Sequence, residues 1–132
     1  MIEGVGVDII KTDKIAAVAE RHGDRFARRI LMDSEFAVYK KSGKPIAFLA
    51  KRFAAKEAAA KALGTGIGKV SFHNLKISNK ASGAPVLTFH GYAAELQKER
   101  GITRCHLTLS DETDNAVAFV VLESDISTSL KV

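Results

Sequence analysis

Apolar positions alternate along residues 1–10, and that period of two predicts a strand. One face carries Ile2, Gly4, Gly6, Asp8 and Ile10; the other carries Glu3, Val5, Val7 and Ile9. Two glycines precede Asp8 on its own face, so this reading leaves open space beside that carboxylate. The period then lengthens to that of helices. Thr12 or Asp13 can cap a helix running towards His22, and Asp24 and Asp33 are candidate caps for two further short helices. Lys44-Pro45 suits the start of a long helix, since proline is tolerated in the first turn. Gly64, Gly66 and Gly68 then end it.

The second half returns to a period of two. Residues 70–78 and 85–90 read as strands joined by a turn over 79–84. A helix over 92–100 stops at Gly101, and strands over 104–110 and 116–123 flank a hairpin loop at 111–115. No repeat, low-complexity tract or linker interrupts this order. The expectation is a single α+β domain over 1–123, with a mainly antiparallel sheet packed against the long helix, and a frayed tail over 124–132.

A chain of 132 residues is long enough to bury a real core, and 46% hydrophobic with 27% charged residues is the balance of a globular protein. No apolar run is long enough to span a membrane, so no membrane partner is expected. The first residues lack the basic and apolar zones of a signal peptide. The lone Cys105 excludes an internal disulfide and fits a reducing compartment, so the cytoplasm is the expected location. The net charge of +5 points to an anionic partner, with nucleic acid, a phosphorylated cofactor and an acidic protein equally open.

Candidate chemistry centres on Asp8 and Glu57. With Glu57 at zero and about 100° per residue, Ala50, Phe53, Ala54, Ala60 and Lys61 fall on its side of the long helix. An acid in that setting costs desolvation unless a metal or partner charge compensates. Hard cations such as Mg²⁺ take one or two carboxylates, with water and phosphate oxygens completing the shell. On spacing alone, an ordinary i,i+4 pair of Glu57 with Lys61 is the better reading. Gly64-Thr65-Gly66-Ile67-Gly68 follows a helix instead of preceding one, so it is no Walker loop, although such a turn can offer N–H groups to a phosphate. Early basic residues (Lys11, Lys14, Arg21, Arg25, Arg28, Arg29) make either a solvated face or a dock. Arg21, Arg25 and Arg28 share helical spacing if that segment is one helix. Cys105 shares a strand face with Leu107 and Leu109 and reads as core; His106 points the other way, and no zinc-ligand spacing is present.

Gly4-Val5-Gly6-Val7-Asp8-Ile9, followed by Arg52-Phe53-Ala54-Ala55-Lys56-Glu57-Ala58-Ala59-Ala60-Lys61-Ala62, resembles the paired signature of the phosphopantetheinyl transferases. Length and layout are similar to the short, single-domain bacterial type, and the resemblance runs to about Glu123. It implies that Mg²⁺ is held by Asp8 and Glu57 and that coenzyme A is the co-substrate, meeting Lys61, Gly64, Gly66 and Pro85. A serine of an apo acyl carrier protein would receive the phosphopantetheine arm, in support of fatty acid biosynthesis. Glu57, directly or through water, would accept the serine proton, and Lys61 would offset charge on phosphate. The acidic carrier would dock on Arg21, Arg25, Arg28 and Arg29, nucleic acid would not be a partner, and the assembly would be a homotrimer. Two positions depart from the family pattern: Asp111 stands where many relatives have histidine, and Gly83-Ala84-Pro85 lacks the usual cation. The competing expectation is a non-catalytic basic module that binds nucleic acid or an acidic protein.

Overall fold

In the computed structural model, which describes residues 1–125, a long helix lies across a three-stranded antiparallel sheet, and a two-stranded hairpin flanks it. The order is β1 (Ile2–Lys11), α1 (Thr12–His22), α2 (Asp24–Ile30), α3 (Asp33–Lys41), α4 (Pro45–Ala62), a 3₁₀ turn (Phe72–Asn74), β2 (Leu75–Asn79), β3 (Pro85–Phe89), α5 (Gly91–Glu99), β4 (Ile102–Asp111) and β5 (Asn115–Ser124). The larger sheet runs β1-β5-β4, and the smaller pairs β2 with β3. The α+β reading and the antiparallel sheet against the long helix are borne out, with the strands divided between two sheets.

Packing follows from which side chains are small. α4 is buried nearly all round, with Ala54, Ala55, Ala58, Ala59 and Ala60 fully enclosed. It rests on β1 where that strand has no side chains. A Cβ added to Gly4 would lie 1.9 Å from the Ala62 carbonyl oxygen, and one added to Gly6 would lie 2.0 Å from that of Ala58. The space beside Asp8 is therefore not open, as the strand pattern suggested; the helix backbone fills it. Nor do the alanines leave room for a cofactor, because they are what lets the helix come so close.

Local chemistry accounts for the other differences. The residues before α1, α2 and α3 are Lys11, Gly23 and Met32, so Thr12, Asp24 and Asp33 are first helical residues and not side-chain caps. The Thr12 N–H finds its partner in the Asp114 carbonyl (2.9 Å). Gly23, with φ of 58°, breaks the basic segment into two helices, so Arg21 and Arg25 do not share one helical face. β2 begins at Leu75 and not at Val70, because the Asn74 side chain accepts the Ser71 N–H (3.1 Å) and closes a turn there. β5 extends through Ser124, which is buried and bonded to Met1; the rest of the expected frayed tail lies outside the described residues. Cys105 packs against the core and burial raises its thiol pKa, while His106 is exposed, as the strand alternation predicts.

Candidate active site

The close approach of α4 to β1 brings together residues more than 50 positions apart. Lys61, in the last turn of α4, donates from Nζ to Asp8 Oδ1 (3.0 Å) and to the Val7 carbonyl (3.0 Å). Asp8's side chain is only 16% exposed while that of Lys61 is 51% exposed, so the ammonium can leave and the carboxylate cannot. Glu57 stands one turn earlier on the same helix. Burial first, and then the Asp8 charge, push its carboxyl above the usual carboxylate range, against the pull of Lys61. The ordinary Glu57–Lys61 pair does not form; Lys61 pairs across to the strand.

This donor set suits a hard divalent cation. A cation would relieve the penalty that burial and the Asp8 charge place on the Glu57 carboxylate, and Mg²⁺ needs no more protein ligands than two when phosphate oxygens and water complete its shell. Among the described residues no cluster of three or more His, Cys, Asp or Glu is poised for a metal, which argues against a closed zinc-type cage.

The glycine turn behaves otherwise than a phosphate nest. Gly64 N–H donates to Lys61 O (2.9 Å), Thr65 and Gly66 N–H both donate to Ala60 O (3.1 Å each), and Gly68 N–H donates to Val70 O (2.9 Å). Contact with a ligand at Gly64 or Gly66 would run through bare Cα atoms. Pro85 opens β3 opposite Asn79, whose Oδ1 accepts a hydrogen bond from Arg52 of α4 (3.1 Å).

Of the candidate docking arginines, Arg25 and Arg29 line a surface cavity of about 360 Å³ with Val18, His22 and Phe26. Arg28 turns away, its guanidinium 4.0 Å from the Phe36 ring centroid. Arg21 sits at the end of α1, exposed.

Sequence reasoning missed three basic groups. Asp111 pairs with Lys51 (3.5 Å). Lys51 and Arg52 line one cleft with Phe48, Asn79 and Leu109, and Arg52 also lines a second with Lys76, Ser34 and Ser78. Arg52 Nε is buried without a hydrogen bond, its nearest acid being Glu35 Oε2 at 3.8 Å. The cations at 51 and 52 were visible in the chain, but nothing local tells which side of an alanine-rich helix will face a cleft.

Residues 4–120 match the 4'-phosphopantetheinyl transferase superfamily. The chain is 49% identical over 124 residues to the holo-[acyl-carrier-protein] synthase of Nitrosospira multiformis, covering 93% of this chain and 99% of that one. Its fold is similar to the crystal structure of holo-[acyl-carrier-protein] synthase from Neisseria meningitidis, with a TM-score of 0.89, 46% identity and coverage of 94% and 100%. It is also similar to the Bacillus anthracis enzyme in complex with CoA (3',5'-ADP), with a TM-score of 0.80, 40% identity and coverage of 95% and 99%.

Proposed function

Because the chain belongs to the 4'-phosphopantetheinyl transferase superfamily, we propose that the junction of β1 and α4 is where it handles coenzyme A. The activity is transfer of the 4'-phosphopantetheine arm of coenzyme A to a serine of apo acyl carrier protein, with adenosine 3',5'-bisphosphate released. The observation that carries the site assignment is the half-exposed Lys61 ammonium seated on the largely buried Asp8 carboxylate, one turn from Glu57.

Asp8 and Glu57 would hold Mg²⁺, which when bound supplies charge neutralisation on the pyrophosphate. Lys61 exchanges its bond to Asp8 for a phosphate oxygen and offsets charge that grows during transfer. Glu57 takes the proton of the carrier's serine as that oxygen bonds to phosphorus and the bond to the leaving phosphate breaks. Arg52, Lys51 and Lys76 put cationic groups in the clefts beside Asn79, where Ala84 and Asp111 supply none. Mass spectrometry of apo carrier incubated with coenzyme A tests this. The phosphopantetheine mass should appear with Mg²⁺ and be absent with chelator. Full transfer in chelator would remove the metal from the reading.

The carrier docks on Arg25 and Arg29 around the apolar surface of Val18 and Phe26, and on Arg21 in the exposed last turn of α1; Arg28, held over Phe36, contributes least. Reversing charge at Arg21 and Arg25 together is expected to raise the KM for carrier at least tenfold and to leave that for coenzyme A unchanged. Equal changes for both would sink the docking assignment. Salt should weaken the same step, since exposed charges are screened beyond about 8–10 Å.

The homotrimer is carried over from the short bacterial type that the chain resembles, and the outer face of the larger sheet supports self-association. Val5, Val7 and Ile9 are 53%, 53% and 63% exposed, and Val7 is in register with Phe119, itself 41% exposed. A contiguous apolar face of this kind is the mark of an association surface. Light scattering in solution should give about three times the 14.2 kDa chain mass; a monomer would refute it. No helix among the described residues is long and apolar enough to cross a membrane. A cytoplasmic location and a supporting role in fatty acid biosynthesis complete this reading, and cell fractionation tests the former.

A further inference from the structure

The most buried charge among the described residues takes no part in that chemistry. Lys56, the residue before Glu57, is 0% exposed. An ammonium has three donors, and all three are used: on the Ile30 carbonyl (2.7 Å), on Glu35 Oε1 (2.7 Å) and on the Phe72 carbonyl (3.1 Å). Glu35 is buried too. Its Oε1 also accepts the Met32 N–H (2.9 Å), and its Oε2 accepts the Ile77 N–H (3.2 Å). One ion pair thus joins α2, α3, α4, the 3₁₀ turn and β2.

Stability alone does not explain it. Well-packed apolar pairs of similar volume often hold a core as well as a buried ion pair does. What only the ammonium does here is grip two backbone carbonyls. Ile30 ends α2, next to Arg29, and Phe72 opens the turn whose His73 ring N–H donates to the Arg28 carbonyl (2.8 Å). Arg29 lines both the cavity with Arg25 and a second one with Phe72 and His73. The helix of docking arginines is therefore tied to the helix of Glu57 through Lys56, and to the turn through His73.

We propose that Lys56, assisted by His73, is a positioning residue for carrier modification, fixing the arginines of α2 at a set distance from Glu57 so that a docked carrier presents its serine to the site. This rests on the docking assignment above. A misplacement near 1 Å can cost about 10²-fold in rate, so the signature is a lost kcat with binding retained. A variant that merely loosens the fold would lose both.

Lys56→Met alone strands the Glu35 charge in the core, so the test uses Lys56→Met with Glu35→Gln, checked for folding by thermal melting. Expected are Kd values for apo carrier and for coenzyme A within about threefold of wild type and a kcat at least tenfold lower. His73→Ala, a change at an exposed side chain, should show the same pattern, with kcat about threefold lower. Arg21→Glu with Arg25→Glu serves as the contrast, losing carrier binding itself. Wild-type kcat in the folded double variant overturns the proposal, as does loss of coenzyme A binding in parallel with kcat. If the double variant does not fold, unchanged kcat in His73→Ala overturns it. Unchanged carrier binding in the arginine variant would overturn the docking assignment and the proposal together.

Discussion

Glu57→Gln is expected to lower kcat/KM for carrier modification by at least about 10³, while the metal-free protein melts no lower than wild type. The substitution keeps the shape of the side chain and removes its charge, so both the second metal carboxylate and the proton acceptor go at once. A factor of 10³ is about 4 kcal/mol of transition-state stabilisation. The stability half of the expectation follows from sign. The folded protein raises the Glu57 pKa, by burial and by Asp8, so its charged form is penalised on folding. That penalty is present at neutral pH and is relieved as pH falls through the raised folded value; a neutral glutamine never incurs it. Wild type should melt higher when Mg²⁺ and coenzyme A are added, because a ligand that binds only the folded state adds RT ln(1 + [L]/Kd). Glu57→Gln should lose most of that rise. Retained transfer, or an unchanged ligand-induced rise in melting temperature, would remove Glu57 from the site. A wild-type protein far more stable than the variant without metal would contradict the reading of its carboxyl as strained.

The order of elements was legible because periods and breakers are local. Pro45 and Gly64 bracket α4, Gly101 ends α5, and the alternation around Cys105 gives the faces of β4 correctly. Asp8 and Glu57 were legible as candidates because each acid is out of keeping with its apolar neighbours. Lys61's partner was not, since a helical wheel offers only neighbours three or four residues away, and the pairing with Asp8 spans 53 positions. The same limit hid the Glu35–Lys56 pair, 21 residues apart. On a helix whose buried positions are mostly alanine, pattern does not tell which cation is interior: Lys56 is enclosed and Lys61 half exposed. Gly4 and Gly6 mark a real feature of β1 whose meaning the chain alone does not fix. An absent side chain is equally compatible with empty space and with a backbone pressed into it, and only the position of α4 decides between them.

Gly6→Ala supplies the other large effect, through the fold. The new methyl would meet the Ala58 carbonyl oxygen at 2.0 Å and the Ala62 nitrogen at 2.7 Å, both backbone atoms of α4. Neither can rotate away as the tip of a flexible side chain would. Overpacking costs roughly 1–3 kcal/mol where side chains can adjust; against rigid backbone the expectation is the upper end or beyond. For a domain with about 5–15 kcal/mol in hand, a loss near 3 kcal/mol lowers the melting temperature on the order of 10 °C. Gly43→Ala is the control, since nothing lies within 4 Å of a Cβ there and its φ is not positive; its melting temperature should stay within about 2 °C of wild type. Folded Gly6→Ala should also be a poor enzyme. Lifting α4 from β1 separates Lys61 and Glu57, which ride on the helix, from Asp8, which stays on the strand, so activity per folded molecule should fall at least tenfold. Equal melting temperatures for the two alanine variants would show that β1 and α4 are not in backbone contact. A destabilised Gly6→Ala with full specific activity would show that their contact holds the fold without setting the distance between the two acids.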